Sequence, residues 1–441
     1  MSAIFSKIIP FIAFILCLHP IYTIAFKDFF GCSSNKLTFY TNISKISIFA
    51  HKRIVIIVSI ILFFLYLTSN IFILSVPLLL ISWISFIRDR FKSIARGLGA
   101  PGYFSFFTLF SICILEQSSL YKSHNLFLAS TYMLISSIIF VEFGHIFISA
   151  GIFKFLDSRK NSLSFAMGMM NPMWSKIYRY YNLIHKIRYP LNYLGPINQI
   201  LGGILLLSGI HSCQILGCII LSFTFISITP FCKLAWLCPS IAITSIYLGS
   251  RLDIVNSGNM LIFYACVLVR SLLSLKLFIE YFQNRSFCIP IVDSLIDIYR
   301  KIMGVIIWKV FTYDVVKYVG PSPSYANYLR DTNSTTNKLS MYEFNKCFTS
   351  VYHSIAMCSF LSSRNYLNKG VFEFRLNRYL KILNLNSLSF LSLDQNDFIR
   401  HEFKENPFLS STLVELKPNL NYIELSNDID DGADFDSYTK S

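Results

Sequence analysis

The first two thirds of the chain alternate between long apolar runs and short polar or basic breaks. The runs cover residues 8–26, 54–87, 103–115, 126–155, 194–212, 215–231, 234–248 and 260–279. Several match the roughly 20 residues that a helix needs to cross a bilayer. Residues 54–87 are 34 positions without a charge. Thr68-Ser69-Asn70 divides them into a hairpin of two short spans, each about 25 Å long. The run 126–155 is 30 residues, about 45 Å as a helix against a hydrocarbon core of about 30 Å, so one end must reach an interface. The rest of the chain is organised around it, because it holds Glu142, His145 and Lys154 among apolar neighbours.

The other segments carry weaker patterns. Gly97-Leu98-Gly99-Ala100-Pro101-Gly102 predicts a break before the aromatic run 103–115; no Gly-Lys-Ser/Thr follows it, so it is read as a turn into the membrane and not as a phosphate loop. Residues 289–313 place Asp293, Asp297, Arg300, Lys301 and Lys309 at helical spacing, which predicts an amphipathic helix lying in the interface. The apolar character ends near Val319. Gly320-Pro321-Ser322-Pro323-Ser324 and the polar 333–337 mark a linker over 317–341. Residues 342–424 have enough apolar and aromatic positions for a small peripheral domain, and 425–441 is an acidic tail expected to be disordered.

Composition places this pattern in lipid. Of the 441 residues, 54% are hydrophobic, 16% aromatic and only 14% charged, far from a soluble average. The net charge of +15 lies in the membrane half: residues 317–441 carry 13 Lys/Arg against 14 Asp/Glu, and residues 1–316 carry 26 against 10. The basic residues concentrate in loops 27–53, 88–102, 157–193 and 281–301 and at Lys233. Loops of that sign face the cytoplasm. The loop 157–193 interleaves Arg159, Lys160, Lys176, Arg179, Lys186 and Arg188 with Trp174, Tyr178, Tyr180, Tyr181, Tyr189 and Tyr193. Beside membrane spans this composition suits anionic headgroups, not nucleic acid. The 11 cysteines form no Cys-x-x-Cys pair and read mostly as buried apolar residues.

Glu142 and His145 stand three apart and share a helix face, which Ser149 continues. A carboxylate beside an imidazole inside a membrane can relay protons or ligate metal; the alternative is a hydrogen-bonded pair that fixes helix register. A di-metal bundle would need a second Glu-x-x-His pair, which the sequence lacks, so no metal site is assigned. Arg270 lies near the middle of its span and needs a carboxylate, a carbonyl or water. His211 interrupts an apolar series, and Gly202-Gly203 would let another helix approach closely.

The stretch Phe147-Ile148-Ser149-Ala150-Gly151-Ile152-Phe153-Lys154-Phe155-Leu156-Asp157, followed by Ala166-Met167-Gly168, resembles a helix of the vitamin K-dependent gamma-carboxylase and its relatives, the horizontally transferred transmembrane domain family. There an aliphatic-Ala-Gly step precedes a lysine, then a Leu-Asp-like step, a tryptophan and a glycine. The tryptophan after the lysine is missing here. The likeness covers residues 50–280, extending to Asn171-Pro172-Met173-Trp174 and to His211 before Phe223 and Phe225. It implies a cavity for a lipid or quinone-like molecule lined by Glu142, His145 and Lys154, with Lys154 as a general base and Ser149, His211 and Arg270 near the substrate.

Together these readings predict an all-α, polytopic bundle of about nine spans over 1–316 with a small C-terminal peripheral domain. The expected location is a bacterial-type inner membrane, with the lipid bilayer and its anionic headgroups as partners and a protein partner as a further candidate. The rival class is a transporter or a non-catalytic maturation or assembly partner, in which Glu142, His145 and Arg270 form a relay or a structural network. Whether the chain is an enzyme is left open by its sequence.

Overall fold

A computed structural model describes residues 99–121, 126–159, 163–171, 174–234, 237–256, 260–283 and 288–303, three short strands, and isolated positions at 8, 9, 12, 79, 372, 373, 376 and 377. Nearly all of the expected spans 8–26 and 54–87, nearly all of the expected linker and peripheral domain, and the tail lie outside the described residues.

Ten helices are described: α1 (Gly99–Tyr121), α2 (Leu126–Arg159), α3 (Ser164–Met170), α4 (Tyr181–Lys186), α5 (Arg188–Leu207), α6 (His211–Ile228), α7 (Leu237–Ser250), α8 (Leu252–Asn256), α9 (Met260–Gln283) and α10 (Pro290–Met303). Among the described residues three helices are long and apolar enough to cross a membrane: Ser130–Leu156 within α2, His211–Ile228 and Met260–Glu280 within α9. Phe106–Glu116 and Leu237–Ser250 are shorter apolar helices. The window that qualifies α2 is 72% buried, against 39% in α6 and 28% in α9. The helix that is apolar all round thus sits at the centre, where no face needs to be polar.

α2 packs against α1, α5 and α9, while α5, α6 and α7 pack in succession and α7 returns to α1. Glycines set the closest of these approaches. A Cβ built on Gly203 of α5 would lie 2.7 Å from the Gly144 carbonyl oxygen of α2. On the other side of α5, one built on Gly217 of α6 would lie 2.7 Å from the Gly202 carbonyl. Gly202 and Gly203 therefore serve two neighbours at once, as small residues do where helix backbones touch. The run 194–212 ends as a helix earlier than its polarity predicts, because Gly209 adopts φ +71° and closes α5 before His211 opens α6.

One boundary differs from the polarity pattern. The glycine-rich stretch before Tyr103 does not end in a break at Gly102: α1 already begins at Gly99, with Pro101 in its first turn, where a missing N–H costs no helical bond. The expected amphipathic helix is described over Pro290–Met303 as α10, and it packs on α9. Lys276 Nζ of α9 meets Asp293 Oδ1 at 2.5 Å, and the Arg270 guanidinium lies 5.2 Å from the Tyr299 ring centroid. As α9 is followed backward by six residues α10 advances by six, so the two helices run antiparallel. Val292, Ile296 and Tyr299 of α10 pack on Leu273 and Leu277.

The three strands form an antiparallel sheet in the order β1 (Tyr318–Val319), β2 (Leu388–Ser392) and β3 (Thr412–Leu416). β1 falls inside the expected linker and pairs with a strand from the expected peripheral domain.

Candidate functional site

Glu142 is fully buried in the middle of α2. Its Oε2 accepts Arg270 Nε of α9 at 2.6 Å, and its Oε1 lies 3.5 Å from Arg270 Nη2. Tyr103 of α1 donates its hydroxyl to Oε1 at 3.2 Å, and Tyr299 of α10 donates to Oε2. Arg270 also donates to Ser274 one turn along α9. One carboxylate thus joins four helices, its charge met by a guanidinium and its remaining lone pairs by two phenols. A buried ion pair needs this saturation to offset its desolvation. His145 lies on the same face but has other partners: its Nε2 is 3.2 Å from the Ser271 hydroxyl.

Lys154 lies 12 positions beyond Glu142, which at 100° per residue turns it about 120° around α2. It faces α5 instead of α9. Its Nζ donates to Gln199 Oε1 at 2.9 Å, and the side chain is buried. Lys154 and Gln199 line a cavity of about 40 Å³ whose other walls include Phe104, Phe147, Phe225 and Cys238. Pro196 borders it too. A proline there removes the helical bond to the Asn192 carbonyl, and the Asn192 side chain accepts the Phe165 N–H at 2.9 Å.

The residues singled out by sequence therefore separate. Glu142 and Arg270 come together directly, with His145 beside them, but none of the three lines the Lys154 cavity. The buried Ser149 hydroxyl bonds back to the Ile146 carbonyl at 2.9 Å. His211 is exposed at the start of α6 and is not among the cavity's lining residues. Sequence reasoning missed Tyr103, Tyr299 and Gln199. Gln199 had a signal, being an amide inside the apolar run 194–212; the tyrosines had none, since an aromatic on an apolar arc reads as packing.

A second polar cluster occupies the turn between α3 and α4. Lys176 N donates to the Phe231 carbonyl and Lys233 N to the Trp174 carbonyl, both at 2.7 Å, making a two-residue β-bridge between Ser175 and Cys232. Burial, with Lys176 and Lys154 acting in the opposite sense, pushes the Cys232 thiol up to about 12, which leaves it protonated at neutral pH. Among the described residues no group of three or more His, Cys, Asp or Glu is placed to hold a metal ion, and the described cysteines are free thiols. No family model, curated protein or solved structure matches the chain.

Proposed function

We propose that the chain is a multi-pass membrane protein, of a bacterial-type inner membrane, that holds the polar end of an apolar, lipid- or quinone-like molecule against Lys154. The observation that carries this reading is the direction of the Lys154 side chain. A lysine near the end of a span ordinarily extends to the headgroups; here, in the last turn of the span Ser130–Leu156, the amine is buried beside Gln199 in an aromatic and aliphatic cavity. An ammonium and a carboxamide can donate together to a carbonyl, phenolate or carboxylate oxygen. The cavity of about 40 Å³ has room for little more than such a polar end, so the apolar remainder lies between helices or in lipid. The likeness to the gamma-carboxylase relatives points to the same lysine and to a quinone-like ligand. Glu142 and Arg270, saturated by each other and by two tyrosines, join helices in this reading and take no part in chemistry.

The test is photolabelling of the purified full chain with diazirine-bearing quinone and fatty-acid probes, mapped by peptide mass spectrometry. Labelling is expected on α2 and α5 next to Lys154 and Gln199, competed by the unlabelled molecule, and lost in Lys154→Met. Labelling of Lys154→Met at the wild-type level would refute the site.

A transport reading is favoured by one observation, the mid-membrane carboxylate bonded to a phenol on α10. It predicts proton-coupled uptake in vesicles that Glu142→Gln abolishes while the protein stays folded.

A further inference from the structure

Between Asp157 and Asp253 the chain contains no carboxylate, yet it holds Arg159, Lys160, Lys176, Arg179, Lys186, Arg188, Lys233 and Arg251. The fold gathers three of these cations from two distant segments. The β-bridge between Ser175 and Cys232 sets Lys176 and Lys233 on neighbouring backbone strands, and the turn Tyr178–Tyr180 brings Arg179 round to the same place. Two of them converge on the buried Tyr178 ring: Lys233 Nζ lies 5.2 Å from its centroid and Arg179 Cζ 5.9 Å. Lys176 Nζ is fixed by the Thr229 carbonyl at 3.2 Å. We infer that Lys176, Arg179 and Lys233 around Tyr178 form a binding site for the phosphate of an anionic membrane lipid.

Arg179 and Lys233, gathered on one ring, repel each other, and an anion of compact charge that also reaches Lys176 on the adjoining segment cancels that repulsion. Burial first, and the Arg179 charge second, lower the Lys233 amine to about 8, a penalty that a bound phosphate relieves. The surroundings select a lipid over a nucleic acid. Tyr180, next to Arg179, and Phe231, whose carbonyl accepts the Lys176 N–H, are exposed, as are Leu183, Ile187 and Tyr189 in the segment that follows, and exposed aromatic and aliphatic groups among basic residues match the headgroup boundary of a bilayer. The site sits where α6 ends and α7 begins, at the end of a membrane-length helix, where a phospholipid headgroup is found. It is separate from the Lys154 cavity: none of the three cations is among that cavity's lining residues.

The experiment uses the full chain reconstituted into nanodiscs of phosphatidylcholine with a minority of phosphatidylglycerol, then extracted with mild detergent and examined for retained lipid by mass spectrometry. Wild type is compared with the triple variant Lys176→Gln/Arg179→Gln/Lys233→Gln and with Lys186→Gln, an exposed cation of the same loop. A basic residue near an anionic surface changes affinity about fivefold, so the triple variant should retain roughly a hundredfold less phosphatidylglycerol, and Lys186→Gln no more than about fivefold less. Wild-type retention by a triple variant with an unchanged elution profile overturns the site. So does a loss in Lys186→Gln as large as in the triple variant, which would show diffuse surface charge. If millimolar inorganic phosphate displaces the lipid where the same ionic strength of sodium chloride does not, the site takes the free anion and the lipid assignment fails. Should the triple variant not fold, Lys233→Gln alone is measured, with about a fivefold loss expected and no loss overturning the proposal.

Discussion

Glu142 and Arg270 can each be removed, and the structure predicts that the two losses are unequal. Arg270 is 4% exposed and Glu142 fully buried. In Glu142→Leu the guanidinium loses both of its contacts to the carboxylate and keeps its charge, because arginine does not give up its proton in a protein. Stranding a buried charge costs about 3–5 kcal/mol. In Arg270→Met the carboxylate keeps the Tyr103 and Tyr299 hydroxyls and can discharge by taking a proton. The cost then falls toward that of a lost charged hydrogen bond, about 1.5–3 kcal/mol. With both changes no charge remains, and only two phenols lose an acceptor, at about 1–3 kcal/mol each at most. The double variant should therefore lie well below the sum of the single losses, with a coupling energy of about 2–3 kcal/mol. Reversible unfolding in mixed micelles, titrated with denaturing detergent, measures all four corners of the cycle. Additive losses would refute the pairing, and a larger loss in Arg270→Met than in Glu142→Leu would refute the account of which partner can discharge.

Two further predictions concern packing and pH. Gly203→Ala drives a methyl to 2.7 Å from the Gly144 carbonyl oxygen, which belongs to backbone and cannot swing away; the overpacking should cost about 1–3 kcal/mol. Gly195→Ala meets nothing within 4 Å and should be neutral or gain up to about 1 kcal/mol from helix propensity. Thermal unfolding in detergent separates them, and equal midpoints would show that α2 and α5 do not touch through Gly203. Asp293 is the other case. Its partial burial favours the neutral acid, but hydrogen bonds from Lys276 and from the Ile289 N–H outweigh that and hold its carboxyl below the usual range. A carboxylate depressed on folding stabilises above its unfolded pKa of about 4 and loses that contribution as pH falls through its lower folded value. Its side chain is 38% exposed, so solvent screening limits the effect to less than about 1 kcal/mol. Hydrogen exchange in α10, corrected for intrinsic rates, should rise on acidification below about pH 4 in wild type and not in Asp293→Asn; the same rise in both would remove Asp293 from the docking of α10.

Much of the bundle follows from polarity along the chain. The run 126–155 reads as the helix the chain is organised around because it holds Glu142, His145 and Lys154 among apolar neighbours, and among the described residues α2 is the most buried of the membrane-length helices. The meeting of Glu142 and Arg270 is legible in part: a guanidinium near the middle of a span needs a carboxylate, a carbonyl or water, and the rival reading of the sequence already set the two in one network. Gly202-Gly203 announces a close approach for the same kind of reason: nothing else at those positions lets two backbones touch. Tertiary structure alone decided the rest. Lys154 stands 12 residues from Glu142, and the helical phase separates the two, but only the placement of α5 supplies Gln199, and only the packing of α1, α3 and α6 around α2 supplies the walls Phe104, Phe165 and Phe225 about the amine. Tyr103 and Tyr299 are uncharged, so no rule compels them to find Glu142, and α10 reaches it only by running antiparallel along α9. Lys176 and Lys233, 57 positions apart in sequence, become neighbours through one β-bridge. Charge and length act within a segment and can be read there; the partner of a neutral hydrogen-bonding group depends on which segments pack together, and only the folded chain fixes that.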